Sequence, residues 1–129
     1  MTNDLFKTVV VGIIFDPAKK EILIGKSNDG YWSFLETDLT YEIELDKALK
    51  KSAKEKTGYV IKNLGAVFAE NCAKPKDKLA LYFLCEVAEG KEKLGKGIKE
   101  LKWIKPSKVS EYLDSRLPTR LKEYITNLG

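Results

Sequence analysis

Chemistry in this chain has to be done without histidine, because the sequence contains none. That excludes a histidine triad, a histidine general base and His-ligated zinc. Two cysteines, Cys72 and Cys85, are too few for a four-thiolate zinc site or a disulfide-rich secreted scaffold. They read as reduced, buried thiols of a cytoplasmic protein. What remains is carboxylates and lysine amines. Carboxylates crowd one segment, with Glu36, Asp38, Glu42, Glu44 and Asp46 inside eleven residues. Such a run reads as a solvated loop, and its charge also suits the N-terminus of the helix it leads into. The basic residues are lysines except for Arg116 and Arg120, spread along the chain to a net charge of +4. Sequence-reading nucleic-acid proteins concentrate arginine forks in a patch, so a nucleic-acid partner is not expected.

The elements that must position these groups alternate in type. Phe6 to Phe15 is β-branched and nearly continuously apolar, a buried strand. Asp16-Pro17-Ala18-Lys19-Lys20 is a turn, and Glu21 to Lys26 returns as the other arm of a hairpin. Tyr31 to Leu35 is a short aromatic strand. Leu45, Ala48, Leu49, Ser52 and Ala53 then recur at i, i+3, i+4, i+7 and i+8, one face of a helix that Gly58 stops. Tyr59 to Glu70 and Lys78 to Val87 read as strands, the first with an interruption near Asn63-Leu64-Gly65. Cys72 to Asp77 forms a basic loop between them, and Glu89 to Gly97 is a second loop. Glu100 to Ile104 is a short strand, and helices run from Pro106 to Leu113 and from Pro118 to Leu128. With 43% hydrophobic and 33% charged residues in 129, this is one mixed α/β domain, residues 1–129, neither disordered nor membrane-embedded. The apolar run from Thr8 to Phe15 is far too short to span a bilayer and lacks a cleavage site, so no targeting segment is expected.

Residues 32–59, WSFLETDLTYEIELDKALKKSAKEKTGY, resemble the Nudix hydrolase signature, G-x5-E-x7-R-E-U-x-E-E-x-G-U with U aliphatic, which W-x-F-P-G often precedes. Trp32, Phe34 and Leu35 take the leading positions, Ala48 the alanine before the R-E pair, and Thr57-Gly58-Tyr59 close the box without a gap. The flanking strands and the Glu100–Ile104 tail agree, so the resemblance covers nearly the whole chain. It implies an α/β/α sandwich, a mixed β-sheet between helices with the box helix on one side. It also implies a site for Mg²⁺ or Mn²⁺ and cleavage of a pyrophosphate in a nucleoside diphosphate linked to another group.

The chemical positions depart from the signature. The box glycine is Thr37, the first glutamate Ile43, the arginine Lys51, its neighbouring glutamate Ser52, and the closing pair Glu55 and Lys56. Only Glu55 survives of four glutamates. A lysine roughly 5 Å from a divalent ion would repel it by about 6–7 kcal/mol at an effective dielectric near 20. The resemblance therefore implies a divergent protein impaired in metal-dependent hydrolysis, with no cofactor expected, that binds a nucleotide or another phosphorylated small molecule. Lys51 and Lys56 would meet phosphates where an enzyme would use a metal, with Lys74, Lys76 and Lys78 adding charge and Trp32 stacking a base. If the chain were an enzyme, Glu55 would hold Mg²⁺ or Mn²⁺ with Glu42 or Glu44, which flank the missing first glutamate, and Glu100 would serve as a late acidic ligand or base. A third reading is a protein-interaction module. Many members of the family dimerise, which leaves a homodimer open.

Overall fold

The structure is a computed structural model, and it describes residues 7–40, 42–72, 78–113 and 117–129, with the Cys72 side chain outside the description. Seven strands form one mixed sheet: β1 (Lys7–Asp16), β2 (Glu21–Ser27), β3 (Trp32–Ser33), β4 (Leu35–Asp38), β5 (Tyr59–Cys72), β6 (Lys78–Gly90) and β7 (Ile98–Ile104). The order is β3-β2-β1-β6-β5, with β4 also on β1 and β7 on β2. Only β1 and β6 run parallel, from Lys7 against Lys78 to Phe15 against Glu86. Such a pair needs a long crossover, and it contains β2 to β5 and α1 (Leu45–Thr57).

β1 is apolar from Val9 to Phe15 because both of its faces are covered there. Val9, Val11, Ile13 and Phe15 face a core shared with Val109, Leu121 and Ile125 of the C-terminal helices, a 3₁₀ turn (Pro106–Lys108) running into α2 (Val109–Leu113), and α3 (Thr119–Thr126). Val10 and Ile14 face the other core, built with Leu49 and Ala53 of α1. At Gly12 an added Cβ would come within 3.1 Å of the Leu49 side chain, so the missing side chain lets α1 seat closely. The result is the sandwich that the sequence implies.

Two details of the sequence reading change. The aromatic strand is broken at Phe34, and β4 takes in Glu36 to Asp38, so the first acidic residues are not loop: Glu36 lies opposite Val11 of β1. Pairing with β1 overrides their low strand propensity. β5 does not break at Asn63-Leu64-Gly65; register shifts absorb the irregularity, with Gly65 at φ 125°. The Cys72–Asp77 loop lies almost wholly outside the described residues, as do Phe6, Lys74, Lys76 and Arg116. Cys85 is free and fully buried, and burial pushes its thiol up to about 12. Among the described residues no helix is long and apolar enough to cross a membrane.

The two ends of α1 are pinned differently. At the N-terminus Asp46 accepts hydrogen bonds from Lys50 at 3.0 Å and from the Asn63 side chain of β5 at 3.2 Å. The bond to Lys50 is the main cause that holds its carboxyl below the ordinary value of 3.8. At the C-terminus Gly58 takes the left-handed conformation at φ 84°, and the 91–97 loop folds back. Lys93 and Gly95 N–H groups donate to the Thr57 and Lys56 carbonyls at 2.8 and 3.0 Å, satisfying groups a helix end leaves open.

Two predictions follow from this pinning. Gly95→Ala would drive its Cβ into the Glu55 carbonyl, whereas Gly97→Ala, at a left-handed glycine with φ 83°, meets nothing within 4 Å. Chemical denaturation should show Gly95→Ala costing clearly more than the ~1 kcal/mol of an ordinary left-handed glycine replacement, and more than Gly97→Ala. Because the folded Asp46 pKa is depressed, its contribution is present above about pH 4 and lost as pH falls through the folded value. Thermal melts should show Asp46→Asn closing its stability gap to the parent protein between about pH 5 and pH 2.

Candidate ligand-binding site

Helical spacing puts Ser52, Glu55 and Lys56 on neighbouring positions of α1, the edge that faces β4 and the 91–97 loop. Lys56 is half-buried, and its Nζ donates to the backbone carbonyl of Glu36 at 2.6 Å. A charged donor on a carbonyl is among the stronger hydrogen bonds available. Ser52 lies one turn back on the same helix edge. It is 5% exposed, and its hydroxyl has no hydrogen-bond partner.

The remaining predicted site residues separate. Glu55 and Lys51 are exposed on α1, and Glu42 is exposed before it. Glu44 is the N-cap residue and pairs with Lys47 at 3.6 Å. Glu100 is exposed on β7, opposite Lys26. Among the described residues no three acidic or cysteine side chains come together as a metal-holding group, so Glu42, Glu44 and Glu55 are not gathered. Trp32 sits edge-on to Tyr112 at 5.6 Å, with the Lys26 ammonium 5.8 Å over its ring. Part of its surface is thus already engaged in packing and a cation–π contact.

Two cavities meet at Glu36. The larger, about 750 Å³, lies on the side of the sheet that carries α2; its aromatic wall is Trp32, Phe34 and Tyr82, with Leu113 and Leu117 closing it. Its charged lining is Asp29, Glu36, Glu70 and Lys78. Tyr82 also packs edge-on against Phe68 and donates to Glu70 at 3.2 Å. The smaller, about 340 Å³, lies between the sheet and the end of α1, and includes Lys56, Lys96, Glu36 and Thr57. Sequence reasoning missed Glu36, whose backbone rather than side chain matters, and Lys96, which sits in a lysine-rich loop with no periodicity. Tyr82 and Glu70 carry only a strand signal; nothing local marks them as cavity residues.

The architecture has close counterparts. A MutT protein from Methanosarcina mazei superposes with a TM-score of 0.77 over 99% of this chain and 96% of its own, at 16% identity. A Nudix hydrolase from Nitrosomonas europaea gives 0.80 over 96% and 72%, at 12% identity. An ADP-ribose pyrophosphatase from Streptococcus suis gives 0.67 over 78% and 74%, at 19% identity. The chain has the Nudix hydrolase fold. No protein-family model matches the chain, and no curated protein matches it by sequence. α1 is therefore the box helix of a Nudix fold, and the box departs from the signature where its acids should stand.

The divalent ion that the fold implies does not fit these residues. An ion on the Glu36 carbonyl would share that oxygen with the Lys56 ammonium. At about 4 Å the two would repel by about 8 kcal/mol at an effective dielectric of 20. The neighbouring hydroxyl of Ser52 is buried, uncharged and unpartnered, which is no substitute for a carboxylate. Removing that hydroxyl relieves an unmet group and adds a better helix former. Ser52→Ala should stabilise the protein by about 1 kcal/mol, measured by urea denaturation, whereas Ser52→Glu should destabilise it.

Proposed function

We propose that this Nudix-fold protein binds a nucleotide or another phosphorylated small molecule without a divalent metal, and that it is impaired in pyrophosphate hydrolysis. The observation that carries the reading is the Lys56 ammonium on the carbonyl of Glu36, a cation of the smaller cavity held at a residue that lines both. An ammonium has three donors, so one bond to Glu36 leaves two for phosphate oxygens. The larger cavity, with three carboxylates against Lys78, disfavours a phosphate inside it. Its aromatic wall instead suits a base or ring, with hydroxyls reaching the acceptors Asp29 and Glu70. The phosphate would lie outward, at Glu36, with Lys56 and Lys51 as its counter-charges and Trp32 beside the ring. The volume is in the range of small-molecule sites. The free, buried Cys85 thiol suits a reducing compartment such as the cytoplasm.

Thermal shifts with a panel of nucleoside mono-, di- and triphosphates and nucleotide sugars, each with EDTA or Mg²⁺, test the reading. The expected result is stabilisation by at least one ligand in EDTA, with affinity falling about ten- to a hundredfold in Lys56→Ala, the loss of a hydrogen bond to a charged group. Metal-dependent turnover that disappears in Glu55→Gln would replace this reading with an active hydrolase. No shift with any phosphate ligand would favour the interaction module.

A further inference from the structure

The smaller cavity has features the Nudix reading does not use. It opens between the sheet and the C-terminal end of α1, away from Trp32 and Tyr82. Its body is apolar, with Ile14, Leu23, Leu35 and Leu101, and it carries two amines, Lys56 and Lys96. No ion pair engages either amine among the described residues. The only carboxylate on its lining is Glu36, which is exposed.

Gly25 gives an independent pointer. It sits inside β2, bonded on one side to β3 at Ser33 and on the other to β7 at Leu101. A glycine inside a strand weakens it and often marks where a ligand approaches closely. The backbone does not require glycine here, since Gly25 is not among the positive-φ residues. Crowding does not require it either. An added Cβ would sit 3.4 Å from Leu101 Cδ2 and 3.7 Å from Ile98 Cδ1, ordinary contact distances. Both neighbours line the cavity. A methyl group would fit there in ordinary contact with the cavity wall, and its absence leaves that room to the cavity.

We propose that this cavity, which shares Ser27, Ser33, Phe34 and Glu36 with the larger one and Lys56 with the phosphate position above, is a second binding site, for a small amphipathic anion with one carboxylate or phosphate head and an apolar body. The head lies between Lys56 and Lys96, and the body lies over Gly25 against Leu23, Leu35 and Leu101. At about 30 Å³ per water-sized group, the 340 Å³ cavity holds about ten non-hydrogen atoms. That is the size of octanoate or phenyl phosphate, which serve as probes for the two sources of the same head-and-body chemistry.

The test is titration of the full chain with octanoate, phenyl phosphate and neutral 1-octanol, followed by the backbone amide resonances of Gly25, Gly97 and Leu101. At least one anion should perturb all three at saturation, with 1-octanol at least tenfold weaker. Lys96→Ala should weaken the anion about tenfold while leaving any nucleotide-induced thermal shift unchanged, because it is Lys56 and not Lys96 that is bonded at Glu36, where the nucleotide phosphate is placed. Gly25→Ala should weaken both anion and alcohol and leave the nucleotide shift unchanged as well. The proposal is overturned if neither anion perturbs these resonances, if 1-octanol binds as well as the anions, or if Lys96→Ala binds them as the parent does. Loss of the nucleotide shift in Lys96→Ala would also overturn it, by making the two cavities one site. Failure of nucleotides to bind at all leaves the anion titration intact, so the two readings fail separately.

Discussion

An ammonium group and a backbone carbonyl, 2.6 Å apart, tie the box helix to β4. The consequences spread outward from that pair. The carbonyl belongs to a strand held in register against β1 at Val11, so it cannot withdraw without unpairing the sheet. The ammonium belongs to the last turn of a helix whose end is fixed by Gly58 and by the 91–97 loop. A positive charge is thereby held, by covalent attachment, beside an oxygen that a hard cation would seek. On the proposed reading, Ile43 and Ser52 supply no carboxylate to a metal, and the fixed amine would repel one.

Held charge changes what kind of recognition the scaffold supports. A bound ion brings two charges and several coordination positions, and can activate water. A lysine brings one charge and three donors, attracts an anion and activates nothing. On the proposed reading, binding and hydrolysis are separated at one position of one helix. The seating of the helix does not depend on Ser52 or Lys56, because Leu49 and Ala53, on the same face as Ser52, still pack on the sheet where Gly12 of β1 leaves room.

The fold was largely legible because its signals are periodic. The β-branched run of β1, the apolar stripe of α1 and Gly58 each report a local physical requirement that tertiary packing reinforced. β4 was the exception: Glu36 to Asp38 have poor strand propensity and pair only because β1 offers an open edge. Of the site, the substitutions at Ser52 and Lys56 were visible as departures from a spaced pattern. Which way the Lys56 amine turns was not, since its acceptor is a main-chain oxygen twenty positions away whose side chain is irrelevant. Lys96 and Gly25 carry no motif; only the shape they line gives them a role.

On the proposed reading, Lys56 repels divalent ions at the box helix and Ser52 offers them no carboxylate. The direct measurement is Mn²⁺ binding by electron paramagnetic resonance, comparing the parent protein with a Ser52→Glu/Lys56→Glu double variant. The parent should leave Mn²⁺ free at submillimolar concentration, and the double variant should take up at least one ion that Glu55→Gln in the same background weakens. A parent protein that holds Mn²⁺ tightly, and releases it when Glu55 alone is changed, would contradict the claim.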